Sequence, residues 1–200
     1  MPESYLKAVA KVSTSCALIF FFALAGCAYR FGSPDRSLPG GYHQVYIPIF
    51  KNKSQEPWIE VPFTNALIQE FERAKIGRVT DAKQAEVVVE GVITSVTYTK
   101  GAEKVAPELD QMPAGTLVTT AYQILVTVEI TLRRTSDKSV LWAGSFSGER
   151  AYNSPLVFST KNPAVNTVNP LYNLSARRQN IERKAVQMMS EAHDRITENF

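Results

Sequence analysis

From Thr120 to Arg133 the chain alternates. Tyr122, Ile124, Val126, Val128, Ile130 and Leu132 are apolar, and Gln123, Thr127, Glu129, Thr131 and Arg133 between them are polar. Successive side chains of a strand point to opposite faces, so a period of two held this long describes a half-buried antiparallel strand. Thr135-Ser136-Asp137-Lys138 has turn composition, and Ser139 to Arg150, carrying Val140, Trp142 and Phe146, returns as the partner of a β-hairpin. A sheet with one apolar face needs a cover, and the rest of the chain must supply it.

Two segments have the helical period. Pro62 suits a first turn, Phe63, Leu67, Phe71 and Ala74 follow at helical spacing, and Gly77 is the expected stop. From about Ser175 onward Ile181, Ala185, Met188, Ala192, Ile196 and Phe200 share one side of a helical wheel, opposite Arg178, Glu182, Gln187, Glu191 and Glu198. Two further strands are expected. His43 to Phe50 is β-branched and aromatic, with Pro48 placing it at an edge or ending its pairing. Glu86 to Thr99 puts Val87, Val89 and Ile93 on one face and Val88, Val92, Val96 and Tyr98 on the other, which suggests a central strand. The order β-α-β-β-β-α predicts an α+β two-layer sandwich: a four-stranded, largely antiparallel or mixed sheet with two helices on one face. Lys100 to Leu117 and Tyr152 to Leu174 exceed economical loop length and read either as interaction segments or as plain flexible loops.

The N-terminus has the order of an export signal: Lys7 and Lys11, an apolar run from Cys16 to Ala25, then small residues. The run is too short for a bilayer core, which takes about 20 apolar residues. Leu24-Ala25-Gly26-Cys27 resembles the bacterial lipobox at all four positions. That resemblance implies cleavage after residue 26, lipidation of Cys27, and, with Ala28 rather than aspartate next, sorting to the outer membrane. Residues 1–26 are thus expected to be a signal peptide, 27–41 a lipidated tether rich in Gly, Pro and Ser, and 42–200 a single periplasmic domain. Several acyl chains, each buried methylene worth about 0.8 kcal/mol, make such an anchor permanent.

Once Cys16 is cleaved away and Cys27 is lipidated, no free thiol remains, so the domain must hold by its core. Residues 1–26 carry two of the 22 basic and one of the 19 acidic residues, leaving 20 against 18, a formal charge of +2. That near-neutrality argues against a nucleic-acid partner. The sequence contains no HExxH, paired-cysteine zinc site, EF-hand loop, Walker loop or GxSxG elbow, so neither an enzyme nor a metal or other cofactor is expected. Binding is what remains. Arg133, Arg134 and Lys138 gather at one hairpin end, where guanidinium and ammonium groups can engage phosphates or carboxylates, or can simply be a solvated strand end that resists edge pairing. Arg177, Arg178, Arg183 and Lys184 form a second basic stretch, expected to open the last helix where the macrodipole disfavours cations, which points to an anionic partner or, more simply, to a solvated face.

Several segments, in this order, resemble the LPS-assembly lipoprotein family of the LptE type. They are Cys27-Ala28-Tyr29-Arg30-Phe31, Leu38-Pro39-Gly40, Tyr46-Ile47-Pro48-Ile49-Phe50-Lys51-Asn52, the first helix, Ala85-Glu86-Val87-Val88-Val89-Glu90-Gly91-Val92-Ile93, and Val140-Leu141-Trp142. The resemblance implies two helices on one face of a four-stranded sheet, seated as a plug in the outer-membrane β-barrel LPS translocon (LptD type). It also implies help with the barrel's assembly and binding of lipopolysaccharide at the periplasmic side. The other reading of the same features is an outer-membrane lipoprotein adaptor of another envelope or secretion complex.

Overall fold

Three strands of 14 residues carry this fold: β4 (Val87–Lys100), β7 (Ala121–Arg134) and β8 (Val140–Asn153). The computed structural model describes residues 36–105, 117–119, 121–153 and 170–198. Before the long strands come β1 (Gln44–Tyr46), β2 (Lys51–Asn52), helix α1 (Glu60–Ala74) and β3 (Arg78–Val79). Between β4 and β7 lie β5 (Glu103–Val105) and β6 (Leu117–Thr119), and α2 (Pro170–Thr197) follows β8. The sheet order is β3-β1-β4-β7-β8, with β2 also on β4. Pairing is parallel among β1, β2, β3 and β4 and antiparallel across β4, β7 and β8. This is the expected α+β arrangement with a mixed sheet, but with six strands instead of four.

The extra strands have physical causes. The first strand divides because Pro48 offers no N–H to the ladder, so β1 pairs with Val87 and Val88, and β2 rejoins β4 at Val92 and Ile93. In the gap the Phe50 N–H donates to Thr64 Oγ1 at 2.9 Å, and that hydroxyl donates to the Glu60 carbonyl at 2.7 Å, so the Phe50 donor is satisfied outside the ladder. The Phe50 ring lies on Gly91, where any Cβ would overlap it. β3, only two residues long, pairs with β1 just after α1. The segment from Lys100 to Leu117 is also not all loop, since its ends form the two-stranded ribbon β5-β6; residues 106–116 and 154–169 lie outside the described residues.

β7 matches its alternation: Ile124, Val126, Val128, Ile130 and Leu132 are all buried against the helices. β4 is central, but its faces differ from the simple pattern. Ile93 pairs with Val128 and Ser95 with Thr127, so Thr94 is one residue too many. A bulge of this kind turns the rest of the strand over. Val96 and Tyr98 therefore oppose Val126 and Ile124 on the helix-covered face, not the face of Val88 and Val92 where a strict period of two puts them.

On α1, Phe63, Leu67 and Phe71 are fully buried, each contributing roughly 1.5–3 kcal/mol. The helix stops at Lys75, not Gly77: Lys75 takes the left-handed conformation (φ 57°) and donates its N–H to the Phe71 carbonyl. Gly77 serves close packing, for a Cβ there would meet Val45 at 3.0 Å and Leu38 at 3.2 Å. Leu38, within the stretch expected to be tether, is itself fully buried, so the core begins before residue 42. α2 buries Ile181, Ala185, Met188, Ala192 and Ile196 as the wheel predicts, and Met189 besides, while Phe200 lies outside the described residues. It starts at Pro170, five residues before the expected start.

Candidate functional site

At about 3.3 Å per residue the long strands span about 45 Å, with Arg133, Arg134 and Lys138 at one end and Arg177 at the other. At the hairpin end, the Lys138 N–H donates to the Arg134 carbonyl and Lys138 adopts φ 60° in the turn. Asp137 accepts from the Ser139 N–H at 3.1 Å and Oγ at 2.7 Å, bonds that hold its carboxyl below the usual range, aided by Arg134. Sheet alternation separates the two arginines. Arg133 pairs with Val88 on the open face and Arg134 with Val87 on the helix side. Arg133 Nε donates to Glu90 at 3.1 Å, and its Nη1 reaches the Lys138 carbonyl at 3.4 Å. Arg134 Nε donates to Tyr42 Oη at 2.7 Å and its Nη1 to Asp137 at 2.8 Å, which raises an already high pKa. Glu86, on the same end, accepts the backbone N–H groups of His43 and Gln44 at 2.9 and 3.0 Å, so its carboxyl is held low. The three cations thus share their end with Glu86, Glu90 and Asp137, and both guanidinium groups are half engaged within the protein.

The second basic stretch is dispersed. Because α2 begins at Pro170, Arg177 and Arg178 lie about two turns inside it, and the macrodipole penalty expected for them does not arise. Arg178 sits beside Trp58, lining a hollow of about 370 Å³ with Ile59, Val61 and Ile181. Arg183 is exposed, and Lys184 Nζ donates to Gln187 at 3.3 Å. Arg177 faces the other way, toward the far end of the sheet.

That far end was not legible as a site in the sequence. Glu56, only 7% exposed, accepts from Tyr98 Oη at 2.5 Å and pairs with Arg177 Nη2 at 3.3 Å. The guanidinium lies 5.0 Å from the Tyr98 ring centroid. Tyr122 and Tyr152 stack at 5.6 Å, and Tyr152 Oη donates to Asn173 at 3.3 Å. Tyr98, Tyr122, Tyr152, Asn173, Leu174 and Arg177 line one hollow of about 420 Å³. Burial, with the Glu56 carboxylate beside it, pushes the Tyr98 phenol well above its ordinary range, and burial raises Tyr152 as well. The available signal was three tyrosines on the three long strands. The register that joins them depends on the bulge.

Among the described residues no group of three His, Cys, Asp or Glu gathers as a metal site, and no helix is long and apolar enough to cross a membrane. His193 is buried between the helices, edge-on to Phe71 at 4.8 Å, and its Nε2 has no partner among them. Cys27 lies outside the described residues.

Similar folds occur in lipoprotein B from Nitrosomonas europaea (9% identity, covering 85% of this chain and 90% of that one, TM-score 0.46) and in a PelC dodecamer from Paraburkholderia phytofirmans (15%, 82% and 95%, 0.45). A third is lipoprotein GNA1162 from Neisseria meningitidis (11%, 68% and 94%, 0.40). At these scores the likenesses carry no functional argument. No curated protein matches the chain. A family model described as lipopolysaccharide-assembly, LptE, matches residues 42–198, more than half of the chain, and the chain therefore belongs to the LptE family of lipopolysaccharide-assembly proteins.

Proposed function

We propose that this protein is an outer-membrane lipoprotein, anchored on the periplasmic face through Cys27, that plugs the LPS-translocon β-barrel (LptD type), assists its assembly and binds lipopolysaccharide in transit. The family match over residues 42–198 carries this reading. The sheet adds physical support: its face away from the helices exposes Leu125, Glu129, Ala143, Ser145, Ser147 and Glu149, of which three are small and two are carboxylates that disfavour an anionic ligand. Such a surface suits a protein wall better than a charged ligand. Arg133, Arg134 and Lys138 are the proposed contacts for lipid A phosphates or inner-core sugars. A phosphate would compete with Glu90 and Asp137 for their guanidinium groups, so binding is expected to be strongly salt-dependent.

Purification of the native protein from membranes, with identification of its heaviest partner, is expected to return a large β-barrel; a secretion or other envelope complex instead would overturn the barrel assignment. The anchor is tested separately. Cys27→Ala should abolish palmitate labelling, and undiminished labelling would remove Cys27 as the lipid site. For the anion site, replacing Arg133, Arg134 and Lys138 together with Ala should weaken lipopolysaccharide binding about tenfold or more, since charge-assisted bonds contribute about 1.5–3 kcal/mol each. Unchanged affinity in a folded triple variant returns these residues to a solvated strand end and moves attention to Arg177, Arg178, Arg183 and Lys184.

A further inference from the structure

We infer that the tyrosine-lined hollow at the far end of the sheet is a saccharide-binding site, selective for a sugar ring over a bare anion. It lies at the opposite end of the long strands from the hairpin cations and needs none of them. Where the saccharide is lipid-linked, the inference rests on the proposed function; where it is a free glycan, it does not.

The site is built by register. Tyr98 opposes Ile124, Lys100 opposes Tyr122, and Tyr122 opposes Tyr152, so the three tyrosines share the helix-side face near the strand ends. α2 closes the other wall with Asn173, Leu174 and Arg177. Collapse of aliphatic side chains fills the core up to Ile124 and Val126, and beyond it the same face carries phenols, leaving the hollow of about 420 Å³. That volume lies in the range of small-ligand pockets and admits one substituted sugar ring.

The chemistry of the walls matches a sugar. One side of a pyranose presents C–H groups, which pack on aromatic rings, and its rim presents hydroxyls, which pair with planar polar groups such as guanidinium, carboxamide and carboxylate. Here Tyr98, Tyr122 and Tyr152 supply the rings, and Arg177 and Asn173 the planar groups. Glu56 fixes them: its buried carboxylate holds the Tyr98 hydroxyl and the Arg177 guanidinium together. The same ion pair cancels the charge of Arg177, so the site has no excess charge with which to attract phosphate alone. Arg177 Nε is buried without a partner among the described residues.

The test is titration of the folded chain with N-acetylglucosamine, methyl glucoside and inorganic phosphate, followed by tyrosine-resolved nuclear magnetic resonance. Saturable, millimolar binding of a sugar that is insensitive to salt, and about tenfold weaker in Tyr122→Leu and in Asn173→Ala, is the expected result. The triple hairpin variant should bind the sugar as the native protein does, so failure of the hairpin reading and of this one remain distinguishable. No saturation by either sugar up to about 100 mM overturns the inference. Phosphate binding as tightly as sugar at Tyr98, Tyr122 and Tyr152 in the triple hairpin variant also overturns it, as does undiminished sugar binding in both folded variants. Delipidated oligosaccharide from lipopolysaccharide, compared with intact lipopolysaccharide, then separates the sources: equal affinity points to a free glycan, tighter binding of the intact molecule to a lipid-linked one.

Discussion

The two ends of the long strands use charge in opposite ways. At the hairpin end Arg133 and Glu90 pair with side chains 36% and 44% exposed, in water that screens them. At the tyrosine end Glu56 is 7% exposed and its partners crowd over it. Exposed pairs are worth about 0–1 kcal/mol, whereas removing one member of a buried pair costs about 3–5 kcal/mol because the other is left unpaired. The hairpin charges can therefore be exchanged for a ligand at little cost to folding. Those at the tyrosine end hold loop 53–59, strand β4 and helix α2 in register, and any ligand there must be met by groups already committed.

The largest expected effect sets the scale between the two ends. Val126, mid-strand and fully buried, should not tolerate Asp, since an unpaired buried carboxylate costs several kcal/mol. Thr127→Asp, on the open face, should melt within a few degrees of the native protein. Equal melting temperatures for the pair would mean that the two faces of β7 are wrongly assigned. Next, Glu56→Ala should cost about 2–3 kcal/mol, less than a wholly buried pair because Arg177 is 31% exposed. Glu90→Gln should stay within about 1 kcal/mol. Denaturant midpoints that rank the two in reverse order would break the contrast between the ends.

A pH series separates buried from exposed titration. Burial lowers the pKa of His193, with Arg36 adding to the effect and Asp194 and Glu70 opposing it. The native state therefore binds this proton less readily than the unfolded chain. Its contribution is fully present above the unfolded value of about 6.5 and is lost as pH falls below it. Melting temperatures should fall between pH 7 and pH 5 in the native protein and more shallowly in His193→Leu; parallel slopes would rule His193 out as the source. The depressed carboxyls of Glu86 and Asp137 act later, their stabilisation being lost as pH falls from about 4 downward. The smallest effect is Lys138→Gly. It removes a side chain from a left-handed position and should raise stability by up to about 1 kcal/mol. Loss of lipopolysaccharide affinity in that more stable variant would show that the cation matters for binding alone; lower stability would show that the Lys138 side chain supports the turn.

Much of the architecture was legible because it follows from local periodicity. The apolar set of β7, the turn at Thr135 to Lys138, and the core side of α2 from Ile181 to Ile196 each depend on residues within a few positions of one another. The misassigned features turn largely on contacts from elsewhere. Val96 and Tyr98 change face because one extra residue, Thr94, sits opposite a continuous β7. α1 ends at Lys75 because that residue can adopt φ 57° and cap the Phe71 carbonyl, while the more obvious Gly77 is required small by Val45 and Leu38. Leu38 reads as tether in a run of Ser, Pro and Gly, yet the core closes over it.

The site shows the same division. The sequence by itself determined where cations are dense, because adjacency in the chain is enough to see Arg133, Arg134 and Lys138 together. Only the tertiary structure decided what they face: strand alternation sends the two arginines to opposite sides, and Glu90, 43 residues from Arg133, meets one of them. Only the tertiary structure, likewise, could join Glu56 to Tyr98, 42 residues away, and bring Arg177 over both. The physical reason is that periodicity records which side of an element is apolar, a property of one segment. Neutralisation of a charge or enclosure of a hollow is a property of two segments, fixed by strand register and helix placement.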